Sequence, residues 1–205
     1  MRSRRAHSSR RRVMLKNVLA SLALAACLLI AHGQVRQGQA AEDLLPFHGS
    51  YVGHATVEDL TTGERHQRDL DIVVSPYRRH GLRIDWVTVR LVDGRRDVPG
   101  VKRWSQTALF EPADGSGFLV EVGKSDLFRE SRATVPIQGD PVRWSRVDGD
   151  VLHICTFVVL EDGRYELQVY RRILTDIGMN IHFERIVDGE VVRRVTGQTA
   201  RADSG

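Results

Sequence analysis

The stretch that decides the fold runs from Asp148 to Thr199 and reads DGDVLHICTFVVLEDGRYELQVYRRILTDIGMNIHFERIVDGEVVRRVTGQT. Asp-Gly occurs in it at 148–149, 162–163 and 188–189, each time between runs rich in Val, Ile, Leu, Phe and Tyr. Asp and Gly accept the positive φ angles of tight hairpin turns, so repeated copies between strand-like runs spell an antiparallel meander. Working outward, the pattern continues upstream with Asp93-Gly94 and Asp114-Gly115. Strand-like runs at 50–58, 66–75, 82–92, 102–111, 118–122, 133–138 and 142–147 precede the four at 151–160, 164–174, 179–187 and 190–199. Beyond residue 40 no segment carries a sustained helical stripe; Ser125–Arg132 is at most one short turn. The fold class is therefore all-β: a single meander closed into a barrel of 8 to 10 strands, which removes exposed edges. A barrel of that size holds side chains or one small ligand.

Short turns permit a face assignment. With Asp162-Gly163 as a two-residue turn, Ile154 faces Arg171, and Arg164, Glu166, Gln168, Tyr170 and Arg172 point outward. A three-residue loop at 176–178 sets Phe183 opposite Arg171. A two-residue turn at Asp188-Gly189 then sets Arg194 opposite Phe183, and Glu184 opposite Arg193 on the outside. The inner row becomes Ile154, Arg171, Phe183 and Arg194, with Arg185 one step along. Trp86, on the face of Leu82 and Ile84, joins the apolar wall. A guanidinium cannot shed its proton and needs a partner when buried. With no acid on that face, a ligand anion is the expected partner for Arg171, Arg185 and Arg194. Two alternatives stand beside this: the arginines snorkel to water at the barrel mouth, or a bulge flips one strand.

Charge divides the chain in two. The 205 residues carry 30 Lys+Arg against 26 Asp+Glu, a net +4. Residues 1–40 hold eight of the bases and no acid, so residues 41–205 carry 22 bases against 26 acids. That mildly acidic remainder argues against a nucleic-acid partner. Val18–Ala31 is a 14-residue apolar run behind a basic stretch, and Gly38-Gln39-Ala40 places small residues at a cleavage site. Residues 1–40 are thus expected to be a cleaved export signal, making the protein periplasmic or secreted, with no integral membrane span. Arg11-Arg12-Val13-Met14-Leu15-Lys16 resembles the twin-arginine motif; an Arg-rich general secretory signal is the alternative. Leu24-Ala25-Ala26-Cys27 resembles a lipobox, but Leu28, Leu29 and Ile30 prolong the apolar run past the cysteine. With the leader removed Cys155 is the one cysteine, so no internal disulfide supports the barrel.

Gly49-Ser50-Tyr51-Val52-Gly53-His54-Ala55 resembles the Gly-x-Trp-x-Gly opening of calycin-type barrels, the lipocalin-like and nitrobindin-like proteins, with Tyr51 at the Trp position. The resemblance implies a ligand-binding barrel for apolar small molecules, with haem as a possible cofactor; nitrobindin-like proteins supply a haem-binding histidine near the position of His182.

Other candidates are weaker. His182 falls on the outer face. His153 and Cys155 share a face, but nothing nearby orients the imidazole or activates the thiol. Asp69 and Asp71 alternate with Leu70, Ile72 and Val74, the pattern of a solvated face. The strand 151–160 is apolar on both faces and needs an outer cover: the segment 44–47, a short helix, or a second subunit making a homodimer. Three functions follow from these readings. They are an exported carrier of an apolar, anionic small molecule, an isomerase- or cyclase-type enzyme using the same cavity, and an envelope accessory protein built on a solid barrel.

Overall fold

A computed structural model describes residues 42–113, 116–123 and 135–202. The expected export leader at 1–40, the Asp114-Gly115 turn expected between strands and the short turn expected at Ser125–Arg132 lie outside the described residues. Ten antiparallel strands follow a 3₁₀ turn at Leu45–Phe47: β1 (Gly49–Asp59), β2 (Arg65–Tyr77), β3 (Gly81–Arg90), β4 (Lys102–Pro112), β5 (Leu119–Glu121), β6 (Val142–Asp148), β7 (Val151–Val159), β8 (Tyr165–Leu174), β9 (Gly178–Val187) and β10 (Glu190–Ala202). Each strand pairs with its sequence neighbours, and β10 pairs with β1 to close the barrel. The meander read from the turns is therefore the fold. Among the described residues of the expected strand 133–138, Pro136–Gln138 forms a 3₁₀ turn instead, as its proline favours, and lies against β7.

The hairpin registers differ from expectation in three places. At 162–163 the loop has three residues, Glu161 to Gly163, closed by Leu160 N–H to Arg164 O (2.7 Å) and Gly163 N–H to Leu160 O (2.9 Å). Only Gly163 has positive φ (83°) there, the pattern of a three-residue hairpin with glycine in the left-handed position. The Asp162 carboxylate accepts from the Arg164 N–H (3.1 Å) and from its guanidinium (2.8 Å), holding the aspartate out of the two-residue geometry. At 188–189, by contrast, both residues have positive φ (49° and 87°), and Val187 pairs with Glu190 across a two-residue turn.

The second difference is at 176–178, where the turn is two residues, with Thr175 N–H donating to Gly178 O (3.0 Å). Gly178 belongs to β9 because β10 passes over it; a Cβ there would sit 2.0 Å from Thr199 O. The two one-residue errors cancel for β9, so Met179, Ile181, Phe183 and Arg185 face inward as expected, but β8 is inverted. The third difference is a bulge between Val191 and Arg193 in β10, which flips the rest of that strand. The bulged Val192 carbonyl accepts the Leu60 N–H from the β1–β2 turn (3.0 Å).

One end of the barrel is packed shut. Phe47 and Leu44 are buried against Tyr51, Leu82, Phe110 and Met179. Arg201 lies across the Tyr51 ring (5.1 Å) and donates to His48 O (2.7 Å), Pro46 O (2.8 Å) and Tyr51 Oη (2.9 Å); Tyr51 donates to Phe47 O (2.9 Å). The 3₁₀ turn is thus clasped onto the barrel through its own carbonyls.

Candidate functional site

Above this packed end the barrel encloses a cavity of about 380 Å³. Its apolar wall comes from alternate residues of β2, β3, β8, β9 and β10: Leu70, Ile72, Trp86, Tyr170, Ile181, Phe183 and Val195. The aromatic rings form a chain, with Trp86 to Tyr170 at 6.4 Å and Tyr170 to Phe183 at 4.4 Å. Its polar wall is dominated by Arg68, Arg172, Arg185 and Arg193.

The arginines differ in how they are compensated. Arg185 donates to Glu166 from Nε (2.8 Å) and Nη2 (2.5 Å), and Gln168 holds the same carboxyl (2.6 Å). Burial pushes the Glu166 pKa upward, but these hydrogen bonds outweigh it and hold the carboxyl below its ordinary value. Arg193 reaches Asp59 (3.1 Å) at the rim. Arg143, on the inner face of β6, donates to Thr156 Oγ1 (3.0 Å) and Glu121 (2.6 Å). Arg68 donates to His66 Nε2 (3.0 Å) and lies over the Trp104 ring (5.1 Å), with no carboxylate among the described residues.

Arg172 is the extreme case. It is 3% exposed and stacks on Trp86 (5.5 Å). Among the described residues its Nε and Nη1 find no hydrogen-bond partner and no carboxylate pairs with it. Burial lowers its pKa to about 10, which still leaves it charged at neutral pH. Beside it, burial raises the Tyr170 phenol, while the charges of Arg172, Arg143 and Arg68 pull it down. A buried cation without a partner costs free energy, and the folded protein retains it.

No family model matches the chain, and no curated protein is significantly similar to it. The site is read from its own residues. The closed ten-stranded barrel is compatible with a calycin-like fold.

Of the residues expected in the site, Trp86, Phe183 and Arg185 line the cavity. Arg171 and Arg194 do not: the longer 161–163 loop turns Arg171 outward opposite His182, and the β10 bulge turns Arg194 outward opposite Glu184. Both pair with Glu184 on the surface (3.8 and 3.3 Å). Their places are taken by Arg172 and Arg193. The inward Arg68 was legible from its phase with Leu70, Ile72 and Val74 alone. Arg172 would have followed from giving Glu161 to the turn.

The remaining candidates resolve simply. His182, His153 and Cys155 lie on the outer face, and burial raises the Cys155 thiol, which keeps it protonated. Asp69 is not on a solvated face. It is 7% exposed beneath the β3–β4 connection, bonded to His54 Nδ1 (2.7 Å) and near Arg96 (3.5 Å). The 3₁₀ turn at Pro136–Gln138 lies near β7 but buries none of its own residues. Among the described residues no helix is long and apolar enough to cross a membrane.

Proposed function

We propose that the protein is an exported, calycin-like carrier that binds one small amphipathic anion in its barrel, acting in the periplasm or outside the cell. The observation that carries this reading is Arg172: a buried, charged side chain in the cavity whose Nε and Nη1 have no partner among the described residues. A ligand anion would neutralise it, and the Trp86–Tyr170–Phe183 chain would hold the apolar body. A cavity of this volume supports a carrier over an accessory protein with a solid barrel. Against an isomerase- or cyclase-type enzyme, Glu166, the one carboxylate in the described cavity wall, is already held by Arg185 and Gln168, leaving no free base there.

Titration with anilinonaphthalene sulfonate, read by its fluorescence, tests the reading. One site per chain is expected, weakened at least tenfold in Arg172→Met and unchanged in the outward-facing Arg171→Met. Equal affinity in both variants would sink the role given to Arg172.

A further inference from the structure

Counting charge inside the barrel narrows the ligand further, and the step rests on the anion-carrier reading above. Among the described residues, six arginines stand in the inward phase around the cavity: Arg68, Arg90, Arg143, Arg172, Arg185 and Arg193. Four of them have a carboxylate each: Arg90 has Glu64, Arg143 has Glu121, Arg185 has Glu166 and Arg193 has Asp59. Arg68 and Arg172 have none among the described residues, and each is instead laid over a tryptophan ring, Trp104 and Trp86 respectively. A ring quadrupole attracts a cation but does not neutralise it, and it leaves the planar N–H fork free to donate at its edge. Two positive charges in the cavity are thus uncompensated.

They also share a locus. Arg172 stands two residues from Tyr170 on the same face of β8, and Trp104, beneath Arg68, sits opposite Thr88, the next inward position from Trp86 beneath Arg172; the Tyr170 hydroxyl lines the same cavity, makes no hydrogen bond to a described residue and can donate one to a ligand. One compact head group beside Tyr170 meets both arginines, whereas two anionic groups at opposite ends of a long ligand would leave one of them remote.

We propose that the ligand is a doubly charged amphiphile with a compact head group, a phosphate monoester of an apolar aromatic or polycyclic alcohol, with the phosphate held by Arg68 and Arg172 and the Tyr170 hydroxyl. Guanidinium forks match phosphate geometry, and a monoester carries close to two negative charges at neutral pH. The apolar body lies against Trp86, Phe183 and Ile181.

The test compares three probes sharing one ring system: naphthol, naphthoate and naphthyl phosphate, neutral, singly and doubly charged at neutral pH. Calorimetry on the purified protein is expected to rank naphthyl phosphate at least tenfold tighter than naphthoate, with naphthol weakest. Arg172→Met and Arg68→Met should each bring phosphate and carboxylate within about threefold of each other. Thermal melts check that both variants fold, and if one fails to fold the other decides. Naphthoate equal to or tighter than naphthyl phosphate, with both well above naphthol, overturns the dianion while sparing the anion-carrier reading. Three equal affinities, or no binding by any probe, overturn both. A phosphate preference that survives in a folded Arg172→Met or Arg68→Met variant overturns the assignment of the head group to these residues.

Discussion

Two arginines inside this barrel are laid over aromatic rings in nearly the same way, Arg201 on Tyr51 at 5.1 Å and Arg172 on Trp86 at 5.5 Å. At the packed end Arg201 donates to two backbone carbonyls and a phenol, so its bonds fasten the 3₁₀ turn Leu45–Phe47 to β1 and β10. In the cavity Arg172 is the more deeply buried of the two, yet its Nε and Nη1 have no partner. A side chain whose bonds are all made within the chain is structural. One whose bonds are left unmade in a cavity lined by rings is held for something else, at a cost in stability.

The comparison can be broken first at the packed end. Phe47 is fully buried beneath the clasp, so Phe47→Ala should cost about 3–5 kcal/mol of unfolding free energy, read by denaturant titration. A loss below about 1 kcal/mol would mean that the 3₁₀ turn is not part of the folded core. Arg201→Ala, which removes three hydrogen bonds at a partly open site, should cost about 1–2 kcal/mol in the same assay and leave ligand affinity unchanged. If affinity falls along with stability, the two ends are not independent.

The smallest effect concerns His66, which accepts the Arg68 hydrogen bond and must therefore be neutral at Nε2. Burial lowers its pKa, and Arg68, Arg90 and Arg193 add to that against the opposing Glu64. Because the folded pKa lies below the unfolded one, the unfolded state binds more protons just below the ordinary value of about 6.5. Stability should fall as pH drops from neutral through that value and level off below the folded pKa. His66→Gln should flatten that part of the melting profile, and an unchanged profile would show that His66 does not contribute.

How much of this was legible in the sequence follows from which forces are local. Alternation and Asp-Gly punctuation set the strands and the meander, because the period of two and the positive-φ requirement are properties of a few adjacent residues. The inward phase of Trp86, Phe183 and Arg185 followed from those signals. The rest depended on one-residue choices made elsewhere. Asp162-Gly163 and Asp188-Gly189 are the same dipeptide, but Arg164 captures the first aspartate, whereas the second accepts the Tyr165 N–H of β8 (3.1 Å). The β10 bulge answers to Leu60 at the end of the neighbouring β1, more than a hundred residues away in sequence. Each shift inverts a strand, which is how Arg171 and Arg194 came to be exchanged for Arg172 and Arg193. An inward arginine was still the right kind of residue to expect, since every register of β8 and β10 places one inside.

The most direct test of the account is the stability of Arg172→Met, measured without ligand by denaturant unfolding beside the wild type. A buried charge kept for a ligand is a burden in its absence, and methionine fills a similar volume without one. The account predicts that Arg172→Met is more stable than the wild type by about 1–2 kcal/mol, even after the lost contact with Trp86. A variant less stable by that amount would contradict it, because Arg172 would then be holding the barrel together as Arg201 does.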